Sequence, residues 1–342
     1  MPVDIVVGGQ AGDEGKGKIS AYLAYKNDFD YCVKVGGPNA GHTVFFEDKI
    51  FALKNIPAGF VNKKTKLILV SGTYIITDWL LKEMKQTNTE SRVIIDPNAV
   101  IIEPRQMKAE RKNTRMMKTI GSVGTGLGEA VRERIDRKKI KFAKDEPRLK
   151  KFIKDVPSLL NKELAKNKQI LLEGTQGLKL SLLHGEYPYV TSRDTTASTF
   201  LAETGLGPKY VRDIYAIFKP YTTRTGPGPI ENEIKNNANL HNHHTKGREV
   251  GSVSGRFRRI GAFEKETAIK TICVNSATKL VITHIDILSG GQDAKKLKDF
   301  KGKAKQFLTK MNTLSKVYPY PKLSIISYGP GLFDVIDLRK GK

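Results

Sequence analysis

Two kinds of run alternate along the chain. Short stretches that are largely apolar recur at Val3–Val7, Tyr31–Val35, Leu67–Val70, Arg92–Ile95, Ile170–Leu172, Asp213–Lys219, Leu280–Thr283 and Leu323–Ile326. Their length and β-branched content predict strands, and several lack a polar face, as strands covered on both sides do. Between them lie runs with helical spacing at Lys16–Lys26, Thr77–Lys85, Gln106–Lys118, Arg148–Lys168, Glu264–Ala277 and Ala294–Met311. Pro147 suits the start of the fourth helix, and Pro157 is expected to break it in two. The alternation predicts an α/β fold, with a mostly parallel central sheet flanked by helices. No repeat or low-complexity tract interrupts it. The polar stretch Asn236–Lys246 has no periodicity and reads as a mobile loop.

Glycine-rich turns follow these strands closely: GGQAGDEGKGK, GGPNAGHT, EGTQG, SGG and SYGPG. In open α/β sheets, ligands bind in the crevice at the carboxyl ends of the strands. Several glycine loops on one sheet edge therefore point to a binding crevice more strongly than any one of them. Two more glycine clusters, GSVGTGLG and SGRFRRIG, lie away from any predicted strand.

Composition narrows the class. Hydrophobic residues are 39% and charged residues 27% of the 342, the balance of a soluble globular protein. The longest apolar runs are far too short to span a membrane. No basic stretch followed by an apolar one opens the chain, so no export signal is expected. Cys32 and Cys273 sit apart in apolar runs and read as inert thiols of a cytosolic protein, without a disulfide framework or metal knuckle. The formal net charge of +24 admits two readings: a nucleic-acid binder, or an enzyme of polyanionic small molecules. Much of the surplus lies in Arg148–Lys168 and Lys295–Lys310, which read as solvated faces of amphipathic helices.

The first loop carries chemistry. A buried strand, a glycine turn and a helix form an anion site, because backbone N–H groups and the helix dipole face the ligand. Gly12–Lys18 fits the GxxxxGK part of a phosphate loop, but Ile19 replaces the metal-binding hydroxyl that follows. Asp13 is tolerable there as a metal ligand or as a general base beside the phosphate. Glu14 reads equally well as an acid favoured at a helix N-terminus. Lys16 and Lys18 supply countercharge. In the second loop, Asn39, His42 and Thr43 stand on a glycine-bracketed turn, where a histidine suits proton transfer or electrostatic stabilisation.

The pair GDEGKGK and NAGHT resembles the signature of the adenylosuccinate synthetase family. The resemblance continues through Glu173–Gly177, His184–Thr191, Thr223–Pro229, Gly255–Arg259, Thr283–Asp286 and Ser327–Gly329. It covers nearly the whole chain, so residues 1–342 are expected to be one synthetase domain with a phosphate-loop-like GTP-binding architecture. The chain looks like a compact form, shortened between Arg137 and Gln176 and between Asp286 and Ser327. The family joins IMP to L-aspartate with GTP and Mg²⁺, through a 6-phosphoryl intermediate. The resemblance implies Asp13, His42, Lys16 and Gln176 as catalytic residues, with Asp13 and the Gly41 carbonyl on the metal. It implies a GTP site of Gly12, Asp13, Glu14, Gly15, Lys16, Gly17, Lys18, Gly41, His42, Thr43, Arg258, His284, Ile285, Asp286, Ser327, Tyr328 and Gly329. Asp286 there would accept from guanine N1–H and the 2-amino group, which adenine cannot match. IMP would be held by Asp13, Glu14, Gly15, Lys16, Asn39, Ala40, Gly41, His42, Val123, Arg137, Gln176, Thr191 and Arg256. Arg137 would come from the other subunit of a homodimer. Aspartate would meet Ser252, Val253, Ser254, Gly255, Arg256, Phe257 and Arg258, since arginine grips a carboxylate bidentately.

Three positions depart from the family pattern. Val123 replaces a threonine, which removes a hydroxyl contact to the substrate phosphate unless Ser122 or Thr125 supplies one. Val253 and Ser254 stand where threonines are common, and His284 stands where lysine is usual. From another class, a basic GTP-binding switch associated with nucleic acid stays open. RFRR with a stacking Phe257 would serve it, although one short cluster is thin support.

Overall fold

The computed structural model describes residues 1–234, 250–251, 253, 255–291 and 294–339; the stretch Asn236–Lys246 and the residues Ser252 and Ser254 lie outside them. The elements run β1 (Val3–Gly8), α1 (Lys16–Lys26), β2 (Tyr31–Lys34), β3 (His42–Phe46), β4 (Lys49–Leu53), β5 (Lys66–Leu69), β6 (Tyr74–Ile75), α2 (Thr77–Thr87), β7 (Val93–Ile95), β8 (Val100–Ile101), α3 (Pro104–Lys112), α4 (Leu127–Ile135) and β9 (Lys141–Phe142). They continue with α5 (Val156–Leu164), β10 (Ile170–Glu173), α6 (Ala197–Thr204), β11 (Val211–Phe218), β12 (Tyr221–Thr225), β13 (Arg258–Ala262), α7 (Lys265–Asn275), β14 (Lys279–Ile282), α8 (Gly302–Thr313), β15 (Lys322–Ser327) and β16 (Val335–Asp337).

Nine strands form the central sheet in the order β16-β15-β14-β11-β1-β10-β2-β5-β7. All eight predicted strands are in it and run parallel; β16 adds an antiparallel edge against β15. The apolar runs reflect burial on both faces. In β1, Val3, Ile5 and Val7 enter one core and Val6 the other; in β2, Tyr31 and Val33 oppose Cys32; in β10, Ile170 and Leu172 oppose Leu171. Helices α5 to α8 pack on the first face, and α1 and α2 on the second. Because β1, β2, β10, β14 and β15 are parallel neighbours or near neighbours, their carboxyl ends open on one edge. The topology also turns at β1, the place where ligands collect in open sheets.

Several predicted boundaries shift. The helix expected over Gln106–Lys118 ends at Lys112, and Arg115–Ile120 forms a separate π-helical turn. Pro157 does not end a helix but lies in the first turn of α5, where its missing N–H costs nothing; Pro147 starts a short 3₁₀ segment before it. The helix expected from Ala294 begins only at Gly302, whose φ of 51° breaks any earlier start. SGRFRRIG, placed away from strands, leads into β13, which pairs antiparallel with β12. Helices α4 and α6, the β3–β4 hairpin and the small sheet β6-β8-β9 carried no clear signal in the sequence.

Candidate active site

The strand ends open into a cavity of about 550 Å³. Its lining contains Gly12, Asp13, Gly15, Lys16, Gly17, Lys18, Asn39, Ala40, Gly41, His42, Thr43, Val123, Gln176, Thr191, Val253, Arg256, Arg258, His284, Asp286, Ser327 and Gly329. Of the remaining sequence candidates, Glu14, Arg137, Gly255, Phe257, Ile285 and Tyr328 do not line it. Phe257 is 63% exposed while Arg256 and Arg258 on either side turn inward, so the RFRR run does not form an outward basic face. Ile285 is buried in the core, and Arg137 is exposed just beyond the end of α4.

The loop between β1 and α1 is folded by its own carboxylate. Glu14 Oε1 accepts the N–H groups of Gln10 at 3.0 Å and Gly12 at 2.8 Å, while its Oε2 lies 2.5 Å from Lys16 Nζ. Glu14 is fully buried, so it shapes the loop from beneath rather than facing the cavity as the resemblance implied. Asp13 projects the other way. Its φ of 63° is left-handed, as are those of Gln176 (64°) and His284 (54°). Non-glycine residues pay roughly 1 kcal/mol or more for this conformation, and such residues collect at functional sites. Arg258 pairs with Asp13: Nη2 donates to Oδ1 at 2.8 Å, and Nε lies 2.8 Å from Oδ2 at ion-pair distance.

His42 stands at the start of β3, its Cβ close against Gly17 of α1. Gly17 is required there, because a Cβ would lie 2.7 Å from that of His42. His42 Nδ1 lies 2.5 Å from Glu173 Oε1, and Glu173 Oε2 accepts from the Ala58 N–H at 2.6 Å. His42 Nε2 is buried without a protein partner. Lys34, the cross-strand neighbour of Glu173, places its Nζ 3.9 Å from the same carboxylate and donates to the Leu53 carbonyl. Burial and then the Lys34 charge hold the His42 imidazole below its usual pKa; Glu173 opposes them. Burial likewise lowers Lys34. Glu173 appears in the EGTQG motif, but no role was assigned to it from sequence. The only signal was a carboxylate ending a buried apolar strand.

The far end of the cavity is closed by Gly121–Val123 and α3. Neither hydroxyl considered as a replacement at Val123 is free. Ser122 Oγ donates to Glu110, and Thr125 Oγ1 donates to Asn39. Arg256 Nη2 donates to the carbonyls of Gly121 (2.8 Å) and Ser122 (3.0 Å). Thr191 sits on a loop braced by Arg224, which donates to Glu186 at 2.6 Å and to the Tyr189 carbonyl. On the opposite side, Thr283 Oγ1 donates to the Glu14 carbonyl at 2.7 Å, and Lys18 Nζ donates to Ser327 Oγ at 2.7 Å.

Among the described residues no cluster of three or more metal-ligating side chains exists, and no helix is long and apolar enough to cross a membrane.

The profile of the adenylosuccinate synthetase family matches residues 5–145 and 141–324. Relatives named adenylosuccinate synthetase include one from Methanocaldococcus jannaschii, 40% identical over 98% of this chain and 96% of its own. Another, from Archaeoglobus fulgidus, is 39% identical over the full length of both. Among solved structures, the fully ligated adenylosuccinate synthetase from Plasmodium falciparum superposes with a TM-score of 0.87 at 23% identity, covering 99% of this chain and 100% of that one. The nucleic-acid switch finds no support among these relatives.

Proposed function

The chain belongs to the adenylosuccinate synthetase family, a GTP-dependent ligase that forms a carbon–nitrogen bond between IMP and L-aspartate, and from that premise we propose how its cavity performs the reaction. Asp13 takes the N1 proton of IMP. O6 then attacks the γ-phosphorus of GTP, the O6–P bond forms, and the bond to the bridging oxygen breaks to release GDP. In the second step the aspartate amine attacks C6, the C6–O bond breaks, and the amine's proton leaves with the released phosphate. His42 Nε2 faces the transferred phosphoryl group. Its Nδ1 is tied to Glu173, so the imidazole can carry a proton on Nε2 while the new positive charge is balanced. Lys16 adds charge at the phosphates and Gln176 an amide at the purine or phosphate.

The observation that carries this reading is the pairing of a carboxylate, Asp13, with a carboxylate-bound histidine, His42, on one cavity. Asp13 already has a cation across both oxygens, the Arg258 guanidinium, so its position suits a metal as well. Mg²⁺ commonly takes one or two protein ligands and completes its shell with phosphates and water. Asp13 and the Gly41 carbonyl would hold it, and when bound it neutralises charge on the transferred phosphate. Arg258 must then leave Asp13, and the aspartate substrate, with two carboxylates, is the natural recipient. Arg256 joins it. Asp286 and Ser327–Gly329 form the guanine wall, and Thr191, Asn39 and Val123 bound the IMP side. Arg137, exposed and outside its own cavity, serves the partner's site in a homodimer of the cytosol. Purified protein given GTP, IMP, aspartate and Mg²⁺ should yield adenylosuccinate, read by ultraviolet absorbance and dependent on each component. No product with all four present would end the reading.

A further inference from the structure

We propose that Lys18 is a specificity-positioning residue: it ties the anion loop to the Ser327–Gly329 wall and so governs recognition of the base, without contacting a phosphate. The proposal rests on reading the cavity as a GTP site. In phosphate loops the lysine of GxxxxGK reaches the phosphates. Here its ammonium is spent elsewhere. Lys18 Nζ donates to Ser327 Oγ at 2.7 Å, to the Gly329 carbonyl at 2.5 Å and to the Asp334 carbonyl at 3.0 Å. An ammonium has three N–H bonds, and all three are used. Lys18 is 8% exposed, so exchanging one of these acceptors for a phosphate would strand a carbonyl or hydroxyl in a largely dry place.

Helix geometry explains the division of labour. Lys16 and Lys18 both lie in the first turn of α1. Two residues apart on a helix means roughly 200° of rotation, so their side chains leave on opposite sides. Lys16 turns to Glu14. Lys18 turns to the tight turn between β15 and β16, which closes on itself: Gly331 N–H donates to Asp334 Oδ2 at 2.6 Å, and Tyr328 N–H to the Asp334 carbonyl. The other base wall hangs from the same loop through Thr283 and the Glu14 carbonyl. Asp334 and then Asp286 are the carboxylates whose charge favours the Lys18 ammonium against its burial. Removing the ammonium therefore loosens one wall and alters the field at the other, while the phosphate end keeps Lys16 and the loop amides.

The test compares wild type with Lys18→Met, which keeps a stem of similar length and removes the donors. Steady-state kcat and KM are measured for GTP and for ITP, which lacks the 2-amino group, with KM for IMP alongside. We expect KM for GTP to rise at least ~10-fold, the GTP-over-ITP ratio of kcat/KM to fall ~10-fold, and kcat at saturating GTP to stay within ~3-fold. A fall in kcat with the GTP-over-ITP ratio unchanged would assign Lys18 to the phosphates and overturn the proposal. Ser327→Ala removes one acceptor without touching α1 and should lower the ratio in the same direction. If Lys18→Met does not fold, that variant alone decides: an unchanged ratio refutes the proposal. Failure of the wild type to make adenylosuccinate from GTP is measured first, and it would instead strike the reading on which the proposal stands.

Discussion

Glu173→Gln isolates the charge behind His42 with almost no change in shape. The two carboxylate oxygens now serve different partners: Oε1 meets His42 Nδ1 at 2.5 Å and Oε2 accepts from the Ala58 N–H at 2.6 Å. An amide has only one oxygen. Ala58 offers only a donor, so the oxygen must stay with it and the NH₂ must face His42. The imidazole is then driven to accept at Nδ1, which places its single proton on Nε2 and denies it a second, charge-balanced one. A hydrogen bond to a charged group contributes about 1.5–3 kcal/mol, so kcat should fall about 10- to 100-fold. KM for GTP and IMP should move little, because neither residue's loss empties the binding walls. The pH profile gives a second readout. Glu173 is what raises the His42 pKa against burial and Lys34; without it the pKa falls further, and the alkaline decline in kcat should begin at lower pH. Lys34 also loses its nearest carboxylate, so the unfolding free energy should drop by about 3 kcal/mol, and rates must be taken well below the melting transition. A kcat within twofold of wild type, with an unmoved profile, would refute the role given to this pair.

Three further outcomes are expected. Asp13→Asn removes the proton acceptor, and kcat should fall by about 10²–10⁴ while calorimetric GTP binding persists; an active variant would sink the base assignment. Gly17→Ala puts a methyl 2.7 Å from His42 Cβ. A helix gain of up to about 1 kcal/mol offsets only part of an overpacking cost of about 1–3 kcal/mol, so the melting temperature should fall modestly, and kcat should fall at least ~10-fold as His42 is displaced; normal turnover would show the contact to be soft. Glu146 is held down to about 2, chiefly by its bond to Arg148. A depressed carboxylate stabilises the fold above its unfolded pKa near 4.5 and loses that contribution as pH falls toward 2. Because Arg148 is 52% exposed, about 1 kcal/mol is the reasonable size. Urea unfolding should separate Glu146→Gln from wild type by that amount near neutrality, and the curves should converge in acid; parallel curves would contradict the assignment.

The strands were legible because a sheet covered on both faces demands apolar residues at most positions, as the two-sided cores of β1, β2 and β10 show. Helix limits were less so: Asn113 and Gly302 override a periodic pattern through backbone geometry that hydrophobicity does not encode. Asp13 and His42 stood out because glycine loops announce themselves locally. The partners behind them did not. Glu173 reaches His42 only because β10 pairs with β2 across more than a hundred residues of chain, with Lys34 in register opposite it. Ser122 and Thr125 looked like spare hydroxyls in the sequence, yet Glu110 and Asn39 already occupy them. Lys18 is the opposite case: helical periodicity alone separates it from Lys16, and the phosphate-loop pattern obscured that.

The carboxylates in the first loop then follow from charge balance rather than from phosphate binding alone. Lys16 is paired with Glu14, Lys34 with Glu173 and Arg258 with Asp13, so each of these site cations meets a protein anion. Burying unpaired ions would cost several kcal/mol each, and these pairs avoid that cost. They differ in what a ligand can take. Glu14 is fully buried and also holds two loop amides, so its pairing with Lys16 is fixed. Asp13 is 25% exposed and its partner rides on the strand that follows the aspartate segment. Anionic ligands can therefore draw Arg258 away and bare Asp13 at little cost, while Lys16 and His42 stay in place. On the proposed roles, the residue that must change partners during the reaction is the one the fold leaves able to do so.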